Sequence, residues 1–196
     1  MMKKLFKLTS LFMAVILFMQ AIPNFAEAAT RIYWNKKMID GSSILYWVDS
    51  NVSYTTAIRN AEKEIEIPAA GYSNPMKMSK TTTKSSSKIE FWQINNPNIT
   101  AIARSYSYRP NSSTAMVVTD KDKYNWYWCK IELNQARMKD YTPSKRATII
   151  VHEMLHAFGG KDTYSSDQKS SIMYGTSDGT ATGVTKDANN FLNDKY

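Results

Sequence analysis

Only two histidines occur among the 196 residues, and both fall in one five-residue stretch, His152-Glu153-Met154-Leu155-His156. On a helix the four-residue separation sets both imidazoles on one face, a turn apart, where a single metal ion can accept a nitrogen from each. Glu153 flanks that face. A carboxylate there can take a proton from a water that a zinc ion has acidified, producing a nucleophile suited to amide carbonyls. Two unrelated histidines satisfied by hydrogen bonds would not explain why the chain's whole complement has this spacing.

A catalytic zinc needs a third protein ligand and an open position. There is no other histidine, and neither glutamate nor cysteine follows Glu153. A downstream ligand is therefore an aspartate: Asp162, Asp167, Asp178, Asp187 or Asp194. Asp162 is preferred, because Gly159 lies halfway between it and His156. Glycine enters positive φ cheaply, so the chain can turn at the helix end and bring residue 162 back to the ion. Asp178, in Gly175-Thr176-Ser177-Asp178, is the rival.

The pattern H-E-x-x-H-x-x-G-x-x-D from His152 to Asp162, followed by Ser171-Ile172-Met173-Tyr174, resembles the metzincin clan of zinc endopeptidases. It is most similar to the snapalysin-like small bacterial members, in which aspartate replaces the usual third histidine. The resemblance implies that His152, His156 and Asp162 bind one catalytic Zn2+, that Glu153 is the general base, and that Met173 is the hydrophobic floor beneath the metal. Tyr164, two residues past Asp162, is the implied donor to the oxyanion of the attacked carbonyl, with Tyr174 its competitor. The implied fold is α+β and metzincin-like: a twisted, mostly parallel sheet of about five strands, two packed helices, a zinc cleft, and a small irregular C-terminal subdomain ending in a helix. The substrate of such enzymes lies extended along an edge strand, and residues 115–119 or 127–133 are the candidates for that edge.

The elements that must carry these groups are legible from periodicity. Residues 44–48 read as a strand. Residues 54–67 read as a helix, with Ile58, Ala61 and Ile65 at three- and four-residue spacing and Pro68 beyond. The polar, lysine-rich stretch 74–88 has no period and reads as a loop or crossover. Strands are expected at 89–94, 101–106, 115–119 and 127–133. Thr142-Pro143 then caps a long helix whose apolar stripe runs from Ala147 to Phe158 and which Gly159-Gly160 ends. A last helix is expected from Thr185 as cap to about Lys195.

Lys3, Lys4 and Lys7, the apolar run from Leu11 to Met19, and Ala26-Glu27-Ala28 together read as a signal peptide over residues 1–28. The run is too short for a permanent membrane anchor. Residues 29–196 are then a single zinc-metallopeptidase catalytic domain, secreted and free of stable membrane insertion. Loss of Lys3, Lys4, Lys7 and Glu27 takes the net charge from +8 to +6. No basic helix or aromatic-interleaved basic stripe occurs along the chain, so the excess reads as a lysine-decorated soluble surface with no nucleic-acid partner. Loose attraction to acidic cell-wall polymers is compatible with it.

The lone Cys129 excludes an intrachain disulfide and reads as a packed strand residue. Asp120, Asp122 and Asn125 are candidates for a structural Ca2+, although Lys121 and Lys123 interrupt them and no complete calcium loop is present. The expected protein is a monomeric secreted zinc endopeptidase acting on proteins or peptides. The alternative is a secreted non-catalytic binding or cell-wall-associated protein on the same scaffold, and the presence of Glu153 favours the enzyme.

Overall fold

The computed structural model describes residues 31–111 and 114–196, so the expected signal peptide at 1–28 lies outside the described residues. Alternating burial marks the first strand, β1 (Ser43–Val48), where Ile44 and Tyr46 point inward and Ser43 and Leu45 outward. It leads into α1 (Thr55–Glu66), which buries Ala57, Ile58, Ala61 and Ile65 along one stripe. There follow β2 (Lys77–Lys80), β3 (Ile89–Ile94), β4 (Ala103–Asn111), β5 (Thr114–Val117) and β6 (Trp128–Asn134). The remaining helices are the short α2 (Gln135–Met138), the long α3 (Pro143–Phe158) and α4 (Lys186–Lys195).

The strands form one six-stranded sheet in the order β2-β1-β3-β6-β4-β5. β1 runs parallel to β2 and β3, and β3 parallel to β6, whereas β4 is antiparallel to both β6 and β5. The architecture is therefore α+β with a mostly parallel sheet. Helix α3 packs on α1 and on β4 and β6.

Six strands replace the expected five or so. The additional one, β2, lies inside the 74–88 stretch read as a loop. Its lysines and serine obscure an alternation in which Met76 and Met78 are buried, and parallel pairing to β1 outweighs the polar composition. β4 begins two residues later than expected and continues to Asn111. Residues 127–133 do not form an edge, since β6 sits between β3 and β4.

Local chemistry explains where α3 starts and stops. The Thr142 hydroxyl accepts a hydrogen bond from the Lys145 N–H at 3.2 Å, with Pro143 in the first turn. At the other end Gly159 takes φ 118°, and the Gly160 N–H donates back to the Leu155 carbonyl at 2.8 Å. The side chain of Thr185, expected to cap α4, instead accepts from the Ile172 N–H at 3.1 Å. Trp126 is 0% exposed, and its indole donates to the Ala157 carbonyl near the end of α3 at 2.7 Å. Trp126→Ala should lower unfolding free energy by about 3–5 kcal/mol, read from denaturant titration, because a large core side chain and a buried carbonyl's partner leave together.

Candidate metal centre

Both imidazoles project from the last half of α3, with ring centroids 4.6 Å apart and planes nearly perpendicular. Their Nδ1 atoms face backbone carbonyls: His152 meets Ile172 at 2.7 Å and His156 meets Gly160 at 3.0 Å. A carbonyl only accepts, so in the neutral ring each Nδ1 carries the proton and each Nε2 a lone pair. The two Nε2 atoms lie 3.0 Å apart.

Asp162 completes the group. The left-handed turn at Gly159 reverses the chain, and the following residues are pinned to the N-terminal segment by Trp34 N–H to Gly159 O and Lys161 N–H to Ile32 O. Asp162 Oδ1 thereby comes within 3.2 Å of each Nε2. This oxygen is buried and has no hydrogen-bond partner of good geometry. Three electron-rich atoms converging on one point repel one another unless a cation sits among them. Their separations are close to the ~3.3 Å expected between ligands of a tetrahedral ion with ~2.0 Å bonds. The donor set therefore fits a zinc-like divalent metal.

Protonation is the other way to relieve that repulsion. Burial alone would raise the Asp162 carboxyl, but hydrogen bonds and charge from the imidazoles, once protonated at Nε2, hold it far below the usual carboxylate range. For His152, burial opposes the cation, yet Asp162 and Glu153 outweigh it and the pKa rises. Protons and a metal thus compete for the same atoms. The other downstream aspartates with assigned contacts are engaged elsewhere: Asp178 with Lys169 and Thr176, Asp167 with Ser165, and Asp187 with Ser171. Among the described residues, His152, His156 and Asp162 are the one cluster of this kind.

The segment around Met173 holds the histidines from behind. Ser171 Oγ accepts from the Met173 N–H and donates to Asp187, which fixes the turn whose Ile172 carbonyl orients His152. Met173 is fully buried, and its carbonyl accepts from the Thr163 N–H at 2.9 Å. A Cβ on Gly160 would stand 2.9 Å from both Met173 Cε and the Leu155 carbonyl, so only glycine lets the chain pass here. The Tyr164 hydroxyl donates to Asp162 Oδ2 at 3.3 Å, and the side chain is 67% exposed at the cleft. Tyr174 lines the same cleft.

Glu153 is 7% exposed. Ser105 on β4 places its hydroxyl 2.8 Å from Glu153 Oε2 and 2.8 Å from the Glu153 carbonyl. Sequence reading did not single out Ser105. Its only signal is inward alternation with Ala103 and Ser107, and the partner depends on how α3 docks. On the zinc-endopeptidase function proposed below, Ser105→Ala should lower kcat for peptide hydrolysis about tenfold, roughly 1.4 kcal/mol, with KM and zinc content unchanged. Ser105→Thr, which keeps the hydroxyl, should restore it; equal kcat for both variants would make Ser105 simple packing.

The cleft above these groups has a volume of about 780 Å³ and is bordered by residues 100–106 and by α3. The edge beside it belongs to β4, not to either expected segment. β5 pairs only with Tyr108 to Asn111. The Ile102 and Tyr108 carbonyls accept from the β6 side, so alternation aims the backbone groups of Ala103 and Ser105 away from β6, toward the free edge.

Cys129 is fully buried against the Ser107 hydroxyl, and burial pushes its thiol up to about 11, which keeps it protonated and inert. In the expected calcium turn, Asp122 accepts the Asn35 N–H, Asn125 the Lys37 N–H, and Asp120 the N–H groups of Asp122 and Lys123. Asp122 and Asn125 thereby tie residues 35–37 to the 120–126 loop, and Asp120 closes the loop on itself. In comparisons with known proteins, no family model and no curated protein matches this chain.

Proposed function

We propose that the chain is a secreted zinc-dependent endopeptidase of metzincin type, snapalysin-like in its ligand set. The observation that carries this reading is the convergence of two imidazole Nε2 atoms and a buried carboxylate oxygen without a hydrogen-bond partner of good geometry, beside Glu153 at the floor of an open cleft. His152, His156 and Asp162 would hold the ion. When bound, zinc supplies Lewis acidity, making water nucleophilic near neutral pH and polarising a peptide carbonyl.

The chain's own groups do the rest. Glu153, buried and held by Ser105, takes the proton of the attacking water and returns it to the leaving amine. Tyr164, released from Asp162, can donate its hydroxyl to the oxyanion. The outward amides and carbonyls of Ala103 and Ser105 can pair with an extended peptide, so that main-chain contacts hold the scissile bond over the site. Secretion follows from the leader-like residues 1–28.

The test is digestion of casein by the full chain after zinc loading, after chelation, and after zinc is restored. Cleavage should be present, lost, and regained in that order. A folded, zinc-saturated chain that leaves casein intact would overturn the enzymatic reading in favour of a non-catalytic zincin-like binding protein.

A further inference from the structure

We propose that the face of the sheet opposite α1 and α3 binds an acidic polysaccharide, a role independent of what the cleft catalyses. Strand register assembles this face from residues far apart in sequence. Leu45, Lys88, Trp128 and Tyr108 stand side by side in one row, Trp47, Glu90, Lys130 and Tyr106 in the next, and Trp92, Glu132 and Arg104 in a third. Their inward-facing neighbours Ile44, Tyr46, Ile89, Phe91, Cys129 and Ile131 are buried, so these side chains point the other way. Four strands at ~4.8 Å spacing make a platform ~14 Å across, long enough for a few sugar rings.

The surface is aromatic and open. Three of the five tryptophans lie on it, half-buried at the base. Trp47 and Trp92 stand 5.3 Å apart, and Tyr108 stacks on Trp128 at 5.0 Å. Lys84 Nζ lies 4.6 Å from the centre of the Trp92 ring, and Arg104 lies over Tyr106 at 5.4 Å, so those ring faces meet cationic side chains instead of core. The C–H bonds of a pyranose ring carry partial positive charge and lie flat on the negative face of an aromatic ring.

Charge selects among possible occupants. Lys84, Lys88, Lys130 and Arg104 outnumber Glu90 and Glu132, which favours an anion by complementarity. The two carboxylates sit in the middle of the platform, bridged to Lys84, Lys130 and Arg104. There they would repel a closely spaced polyphosphate, but they can accept hydrogen bonds from sugar hydroxyls. A polymer combining hydroxyls with sparser carboxylates fits both features better than nucleic acid does.

The experiment titrates the full chain with polygalacturonate, with dextran as the neutral polymer and poly(dT) as the nucleic acid, at physiological salt. Polygalacturonate should bind and shift tryptophan emission. The double variant Trp47→Ala, Trp92→Ala should weaken binding at least tenfold while unfolding cooperatively, and Lys88→Gln should weaken it a fewfold. Absent binding, unchanged emission at saturation, or affinity indifferent to the tryptophans would overturn the proposal. So would dextran or poly(dT) bound as tightly as polygalacturonate.

Discussion

On the proposed endopeptidase function, Glu153→Ala should retain zinc and lose peptide hydrolysis by about three orders of magnitude in kcat, the middle of the range for removing a positioned general base. The expectation rests on the division of labour at the site. Glu153 lies one residue from His152 but belongs to no ligand cluster; its carboxylate meets the Ser105 hydroxyl instead. Its loss therefore leaves all three ligand atoms in place. With Asp162 as a ligand, a bound zinc site would be less positive than one with three imidazoles, so the ion would be a weaker acidifier and the proton acceptor would carry more of the burden. The measurement pairs zinc content per chain with kcat on a quenched peptide. Stoichiometric zinc with substantial residual turnover would remove Glu153 from the role of base.

Asp162→Ala should lower zinc affinity at least a hundredfold, beyond the 10–100-fold range typical of removing a group that merely supports a ligand. Only two imidazoles would remain, on one helix, and the returning segment after Gly159 would supply no donor. The same variant should lose the rise in unfolding midpoint that zinc is expected to confer on the parent chain, since a ligand stabilises only as far as it binds the folded state. Competition against a chromogenic chelator reads the affinity, and thermal unfolding with and without zinc reads the linkage. Unchanged affinity would exclude Asp162 and return attention to Asp178, now held by Lys169.

What could be read along the chain was whatever depends on neighbours in sequence. Four-residue spacing on a capped helix is enough to put His152 and His156 on one face, and Gly159 at the helix end is enough to reverse the chain. The strand β2 escaped notice because its inward Met78, like Met76 just before it, sits in a run of lysines, serines and threonines, and only β1 beside it makes that run a strand.

Residue types alone determined that a third ligand lying downstream of His152 and His156 must come from a short roster of aspartates. That limit is compositional and needs no fold. Tertiary structure decided the rest: which aspartate returns, that Ser105 reaches Glu153, that β4 provides the free edge, and that Trp47, Trp92 and Trp128 share one surface with lysines from other strands. Those outcomes depend on the register between strands and the docking of α3. Both are set by long-range packing, which leaves no local trace in the order of residues.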